Sequence, residues 1–197
     1  MHKGKIFQTD RFIIQPFTVD LENRASQLIR DLIYIFSKQD VIKFNLNRRL
    51  TSEHEASNFI MSTLNGYENQ THYDYFLFRK DNGVMVGTVH LLAPKRVASA
   101  YPFIGILSDI KDCSSKNWMI EYYLDSPYWR KGIMKLFVNW LVNELFKQGA
   151  EVVSALVTES NVSSVALLES IGFRKDSQYR DTSGQVLWWK KQENNII

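Results

Sequence analysis

Glu121-Tyr-Tyr-Leu-Asp-Ser-Pro-Tyr-Trp-Arg-Lys-Gly-Ile-Met134 is the stretch whose reading decides the fold. An apolar, aromatic run predicts a strand over Met119–Leu124. A short loop, Asp125–Lys131, follows, and Gly132 stands at the start of a helix. A glycine between a strand and a helix lets backbone N–H groups converge on an anion, and the helix dipole adds to the attraction. The stretch therefore predicts a site for a phosphate-bearing ligand, held by main chain rather than by charged side chains.

Downstream, Ile133–Lys147 carries Ile133, Leu136, Phe137, Trp140, Leu141 and Phe146 on a broad apolar face, with Gly149 as its C-terminal cap. Val152–Val157 has the short, fully apolar pattern of a buried strand. Asn161-Val-Ser-Ser164 opens a helix that runs to Ile171, with Gly172 just past its end. Phe173–Arg180 and Gln185–Lys191 flank Asp181-Thr-Ser-Gly184 as a hairpin.

Upstream, Ile6–Phe17 predicts a first strand, with Pro16 marking its end or an edge position. Helical spacing runs from Asp20 to Phe36, and Ser52-Glu-His-Glu55 is a capping box for a second helix reaching about Leu64. Tyr73–Arg79 and Val84–Leu92 flank Lys80-Asp-Asn-Gly83 as another hairpin. Ala93–Asn117, with Pro94, Pro102 and Gly105, reads as a long, mostly irregular loop holding one short strand near Phe103–Leu107. The tail Gln192–Ile197 is expected to be loosely held. The order β-α-α-β-β-β-α-β-α-β-β predicts an α/β (α+β) fold with a central mixed sheet flanked by helices.

Bulk properties narrow the function classes. At 197 residues, 45% apolar and 23% charged, the chain reads as one globular domain. A net charge of +3, with scattered lysines and arginines and short doublets such as Arg48-Arg49, Arg130-Lys131 and Lys190-Lys191, falls short of a nucleic-acid footprint. The single cysteine, Cys113, excludes an internal disulfide and fits a reducing compartment. No apolar signal core follows the basic N-terminus, and no stretch reaches the roughly 18 apolar residues of a membrane span, so a cytoplasmic protein is expected. His54-Glu-Ala-Ser-Asn58 begins like a zinc helix but has Asn58 where the second histidine belongs, and no metal is expected. Phosphate-loop, nucleophile-elbow and dinucleotide glycine patterns are absent.

Tyr128-Trp-Arg-Lys-Gly-Ile-Met134 resembles the pyrophosphate loop of the GNAT superfamily of N-acetyltransferases, [Q/R]-x-x-G-x-[G/A]. Tyr122-Tyr-Leu-Asp125 with Tyr128-Trp129 is similar to the Y-W-L-D-P-x-Y-W-G-K-G pattern of its RimJ/RimL-type branch. Asn161-x-x-Ser164, Glu169 and Gly172-Phe173 match that branch's second signature, N-x-x-S-x-x-x-x-E-x-x-G-F. The resemblance covers roughly residues 7–192 of a single N-acetyltransferase domain spanning 1–197. It implies a mixed, mostly antiparallel sheet with helices on both faces. Two parallel strands, Met119–Leu124 and Val152–Val157, would splay around acetyl-CoA.

The resemblance also implies roles. Tyr122, Tyr123 and Leu124 would pair with the pantetheine arm through their backbone. Trp129, Arg130, Lys131, Gly132, Ile133, Met134 and Lys135 would surround the pyrophosphate, and Asn161 would hold a pantetheine amide or cap its helix. Met134 stands where the family has a small residue, so either the loop is displaced or Met134 points into the core. Leu168 occupies the position of the tyrosine that many members use to protonate the thiolate, which leaves Ser164 as the candidate donor. Glu121, inside an apolar strand, is the candidate general base, two positions along from the usual family glutamate at the Met119 position. His90 is a lesser candidate base whose other reading is a satisfied structural histidine. The implied reaction is direct attack of a primary amine, from a protein N-terminus or a small molecule, on the thioester. A non-catalytic acyl-CoA sensor is the alternative. A homodimer is a further implication, with Trp188-Trp189 either at an interface or buried one on each face of a strand.

Overall fold

A computed structural model describes residues 5–17 and 24–193. Its strands are β1 (Phe7–Gln8), β2 (Phe12–Pro16), β3 (His72–Arg79), β4 (Met85–Leu92), β5 (Asn117–Leu124), β6 (Val152–Val157), β7 (Arg174–Arg180) and β8 (Val186–Lys191). They form one sheet in the order β1-β2-β3-β4-β5-β6-β8-β7, mostly antiparallel, with β5 and β6 parallel. The described helices are α1 (Ala25–Phe36), α2 (Gln39–Ile42), α3 (Glu53–Glu68), α4 (Pro94–Ala100), α5 (Ile104–Leu107), α6 (Ile133–Lys147) and α7 (Val162–Ser170). The mixed sheet flanked by helices is the predicted class. Two compact units are present, one within Met1–His90 and Tyr122–Phe137, the other within Leu91–Glu121 and Val138–Ile197.

In the first unit, α1 and α3 cover β3 and the start of β4. Leu28, Leu32, Ile35 and Phe36 of α1 lie on one helical stripe and pack with Ala56 and Ile60 of α3, Phe76 and Phe78 of β3, and Met85. Asp31 is buried within this stripe because its Oδ2 accepts the Met85 N–H at 3.0 Å while its Oδ1 accepts from Gln27 at 2.7 Å. The capping box at Ser52 forms as predicted, with Ser52 Oγ accepting the Glu55 N–H and Glu55 Oε2 accepting the Ser52 N–H. Backbone and hydroxyl donation from Thr51 holds the Glu55 carboxyl below the usual range.

The predicted first strand, Ile6–Phe17, is two strands. Thr9 Oγ1 accepts the Phe12 N–H at 3.0 Å, and Thr9 N donates to Phe12 O at 2.8 Å, so a tight turn replaces the middle of the run. Pro16 ends β2 as expected. It pairs with Tyr75 on one side, and β1 reaches only Ile13 and Ile14 on the other, so its missing N–H breaks no ladder. Part of the predicted Asp20–Phe36 helix and the end of the tail lie outside the described residues.

In the second unit, the expectation of an irregular loop over Ala93–Asn117 is overturned. The segment folds as α4, α5 and a 3-10 turn at Lys111–Lys116. Pro94 serves as a helix starter at the first turn of α4 rather than as a breaker. The supposed strand near Phe103–Leu107 is helical. Only Ile104 is buried there, while Phe103, Ile106 and Leu107 are exposed, which is no strand alternation. Val97, Ile104 and Ile110 join Met119, Val152 and Leu187 in a core. Asp109 and Asp176 fasten the segment to β7: Asp176 accepts the Asp109 N–H, and Asp109 accepts from the Ser177 N–H and hydroxyl, all at 2.7–2.8 Å. Trp188 is buried and Trp189 packs against that core, so these rings are taken up within the fold.

Candidate active site

The decisive stretch folds as predicted up to its last strand residue and then turns sharply. Leu124 is followed by Asp125, whose N–H donates to Val86 O at 2.8 Å. Gly87 on β4 makes this approach possible: a Cβ there would lie 2.6 Å from Tyr123 O. The side chain of Tyr123 packs edge-on against Phe36, with ring centroids 5.0 Å apart.

A 3-10 turn, Ser126–Tyr128, carries the chain on, closed by Tyr128 N donating to Asp125 O at 2.9 Å and Trp129 N to Ser126 O at 3.1 Å. The Trp129 indole N–H donates back to Leu124 O at 2.6 Å, although the ring is 40% exposed. Arg130 then adopts φ +60° and Gly132 φ +72°, both left-handed. The first helical bond runs from Leu136 N to Gly132 O, so the amides of Ile133, Met134 and Lys135 lie ahead of the ladder. A Cβ at Gly132 would meet nothing within 4 Å. Backbone conformation, not crowding, requires glycine here. That geometry fits a diphosphate.

The loop is anchored from behind by a buried charge. The Asp125 carboxylate is nearly inaccessible and accepts from Lys38 Nζ at 2.5 Å. Lys38 also lies 3.6 Å from the centre of the Tyr34 ring. Burial works against its positive charge, but Asp125 and the Tyr34 hydroxyl together outweigh this and raise the Lys38 pKa above the ordinary lysine range. A cleft of about 260 Å³ opens where the β1–β2 turn meets the start of α6, lined among others by Asp10, Arg11, Lys131, Gly132 and Leu136. Arg130, Lys131 and Lys135 are exposed. Met134 is 5% exposed, so its side chain is in the core and it can offer a ligand only backbone. Of the two arrangements open to it in the sequence, the core-facing one holds.

The second unit carries the other predicted residues. β5 pairs with β6 over Asn117–Met119 and Val152–Ser154. The strands themselves continue to Leu124 and Val157. Glu121 lies half-buried in β5 beyond the paired register. Asn161 and Ser164 are brought together at the start of α7, where Asn161 Oδ1 accepts the Ser164 N–H at 3.3 Å. Leu168 is fully buried, which explains an apolar residue at the family's tyrosine position. Gly172, at φ +87°, ends the helix, and Phe173 N donates to Leu168 O at 3.0 Å.

Sequence reasoning passed over two features. Lys38 and Asp125 are 87 residues apart, and no spacing rule links them. His90 was weighed alone, without its partner: its Nδ1 lies 2.6 Å from Asp74 Oδ1. Among the described residues no three His, Cys, Asp or Glu side chains gather as metal ligands, and no helix is long and apolar enough to cross a membrane.

Strand, left-handed glycine turn and helix, followed by a second strand and a capped helix, are the elements that the family resemblance led us to expect. The chain belongs to the GNAT acetyltransferase family, whose domain pattern matches residues 11–174. No curated protein sequence matches it. Among solved structures, the fold is similar to that of a ribosomal-protein-S5-alanine acetyltransferase from Vibrio fischeri. The TM-score is 0.67 at 18% identity, over 96% of this chain and 98% of that one. RimL, a ribosomal L7/L12 alpha-N-protein acetyltransferase in complex with coenzyme A, gives 0.70 at 13% identity, over 95% and 98%. The microcin C7 self-immunity acetyltransferase MccE, in complex with acetyl-CoA and AMP, gives 0.68 at 18% identity, over 93% and 94%.

Proposed function

We propose that this protein transfers the acetyl group of acetyl-CoA to a primary amine, on a protein N-terminus or a small molecule, by direct attack and without an acyl-enzyme. The observation that carries the reading is the loop from Asp125 to Gly132. It leaves the amides of Ile133, Met134 and Lys135 ahead of the helical ladder, beside the exposed side chains of Arg130, Lys131 and Lys135. Trp129 and the backbone of Tyr122, Tyr123 and Leu124 complete the cofactor assignment on this side, and Asn161 does so on α7. Glu121 is assigned to the acceptor amine and Ser164 to returning a proton to the thiolate. The chain acts in the cytoplasm as a single N-acetyltransferase domain, alone or as a homodimer, and needs no metal.

The test is thiol release from acetyl-CoA against a panel of amines: peptides starting with alanine or serine, polyamines, aminoglycosides and free amino acids. Mass spectrometry identifies the acetylated product. Turnover of one class is expected. Tight acetyl-CoA binding with no turnover on any amine would favour an acyl-CoA sensor, and failure to bind acetyl-CoA would refute both readings.

A further inference from the structure

Behind β3 and β4 of the first unit lies a cluster that the acetyl-donor loop does not use. Asp74 sits on β3 with a side chain 2% exposed. One carboxylate oxygen accepts from Thr63 Oγ1 of α3 at 2.7 Å, and the other lies 2.6 Å from His90 Nδ1 on β4. The His72 ring packs 5.0 Å from the His90 ring. Helix α3 is shaped around the group. Gly66 lies in the last turn of the helix, and a Cβ there would come within 2.3 Å of the His72 ring. Thr63 and Gly66, one turn apart, thus face Asp74 and His72, two apart on the strand.

A buried carboxylate needs partners, and this one has selected a histidine and a hydroxyl. Burial alone would raise the Asp74 pKa, but the charge and hydrogen bond of His90 outweigh it and hold the carboxyl below its ordinary range. An ionised Asp74 requires the proton of neutral His90 to sit on Nδ1. That leaves the lone pair on Nε2, for which no partner is seen among the described residues. The same carboxylate stabilises the imidazolium once Nε2 takes a proton. The His90 side chain keeps 13% of its surface, enough for one edge to be reached.

We infer that His90, oriented by Asp74 and Thr63, is the proton acceptor that converts the incoming ammonium into the attacking amine. The inference rests on the N-acetyltransferase reading. The ammonium gives one proton to His90 Nε2. The freed nitrogen lone pair forms the N–C bond to the thioester carbonyl, and the C–S bond breaks. Nitrogen gives up a second proton, which Ser164 relays to the departing thiolate, leaving amide and free CoA thiol, and His90 passes its proton to solvent. Asp74 and Thr63 are positioning residues.

The experiment compares His90→Gln, Asp74→Asn and Glu121→Gln with the unaltered chain, using the amine turned over fastest in the panel. His90→Gln is expected to bind acetyl-CoA with unchanged affinity, which also shows that it folds, and to lose about 10²-fold in kcat/KM at neutral pH. Asp74→Asn should fall comparably, because an amide can donate to Nδ1 and move the histidine proton to Nε2. In the unaltered chain kcat/KM should rise in one step with pH. On β3, Asp74 and His72 are the titratable groups beside it, Thr63 and Gly66 on α3 carry no charge, and the other neighbouring strand, β5, carries Glu121. That step should vanish in His90→Gln and persist in Glu121→Gln. A His90→Gln protein with kcat/KM within threefold of the unaltered chain and the same pH profile would overturn the inference while leaving the acetyltransferase reading intact. Nitrogen-15 NMR of the histidine rings decides independently of turnover. A proton on Nδ1 of neutral His90 supports the inference, and a proton on Nε2 overturns it.

Discussion

The loop from Asp125 to Gly132 and the helix start at Asn161–Ser164 both offer backbone amides, yet they are held in opposite ways. The loop contains two left-handed residues, Arg130 and Gly132, and one of them carries a full side chain. Such backbone persists only where its surroundings over-determine it. Here the Lys38–Asp125 pair, the Trp129 indole bond to Leu124 O and two turn bonds do so. The helix start adopts backbone that the chain prefers, and one Asn161 side-chain bond finishes it. A disfavoured conformation distributes its dependence over many residues, some remote. A favoured one concentrates it in a single side chain.

The largest break in this contrast should come from Lys38→Met. It leaves the Asp125 carboxylate buried without its cation, which costs about 3 kcal/mol and lowers the melting temperature by roughly 10 °C in a chain of this size. Acetyl-CoA affinity should fall with it, because the loop loses its rear anchor. A melting temperature within 2 °C of the unaltered protein would mean that the pair does not hold the loop. The pH sign follows from the raised Lys38 pKa. On the alkaline side the Lys38 contribution is full below the ordinary lysine pKa and is lost as pH rises through the raised folded value. The two proteins should therefore converge only at strongly alkaline pH.

Gly87→Ala ranks next. The added methyl would lie 2.6 Å from a backbone oxygen, which cannot rotate away, so about 2 kcal/mol of overpacking is expected. Urea denaturation reads it directly, and an unchanged midpoint would show that β4 and β5 can part at Tyr123 without penalty. Gly132→Ala should cost less, about 1 kcal/mol, for the left-handed backbone alone. Nothing lies within 4 Å to clash with it. Its larger effect should be on acetyl-CoA affinity, weakened several-fold by calorimetry. Equal affinity would show that Gly132 is needed for folding and not for the ligand.

What the sequence made legible follows the same division between local and remote causes. The bounds of α6 and β6, both hairpins, the Ser52 capping box and the glycine turn are set by residues within a few positions of one another, and they were read directly from the chain. Ala93–Asn117 was misread because Pro94 both starts and breaks helices. Which it does there depends on Val97, Ile104 and Ile110 finding a core supplied by Met119, Val152 and Leu187. The Ile6–Phe17 strand was misread because one threonine bond turns it. Lys38 with Asp125, and His90 with Asp74 and Thr63, join residues 11 to 87 positions apart. His90, a lone polar residue in an apolar strand, hinted at the second, but no spacing rule could supply either set of partners.

Asn161 gives the smallest expected effect and separates its two assigned roles. Asn161→Ala removes the bond to the Ser164 N–H and should cost about 1 kcal/mol of stability. Asn161→Asp keeps an oxygen acceptor at the same place and adds a negative charge near the helix N-terminus, where the dipole favours it. It should therefore restore or exceed the original melting temperature. It also removes the side-chain N–H₂ donor and sets a charge where a neutral pantetheine amide would lie. If Asn161 both caps α7 and holds that amide, Asn161→Asp will be as stable as the unaltered chain yet bind acetyl-CoA several-fold more weakly. If it only caps, affinity will return with stability. The two readouts move together for a cap and apart for a ligand contact, so a single aspartate substitution distinguishes a helix end that serves the fold from one that also serves the site.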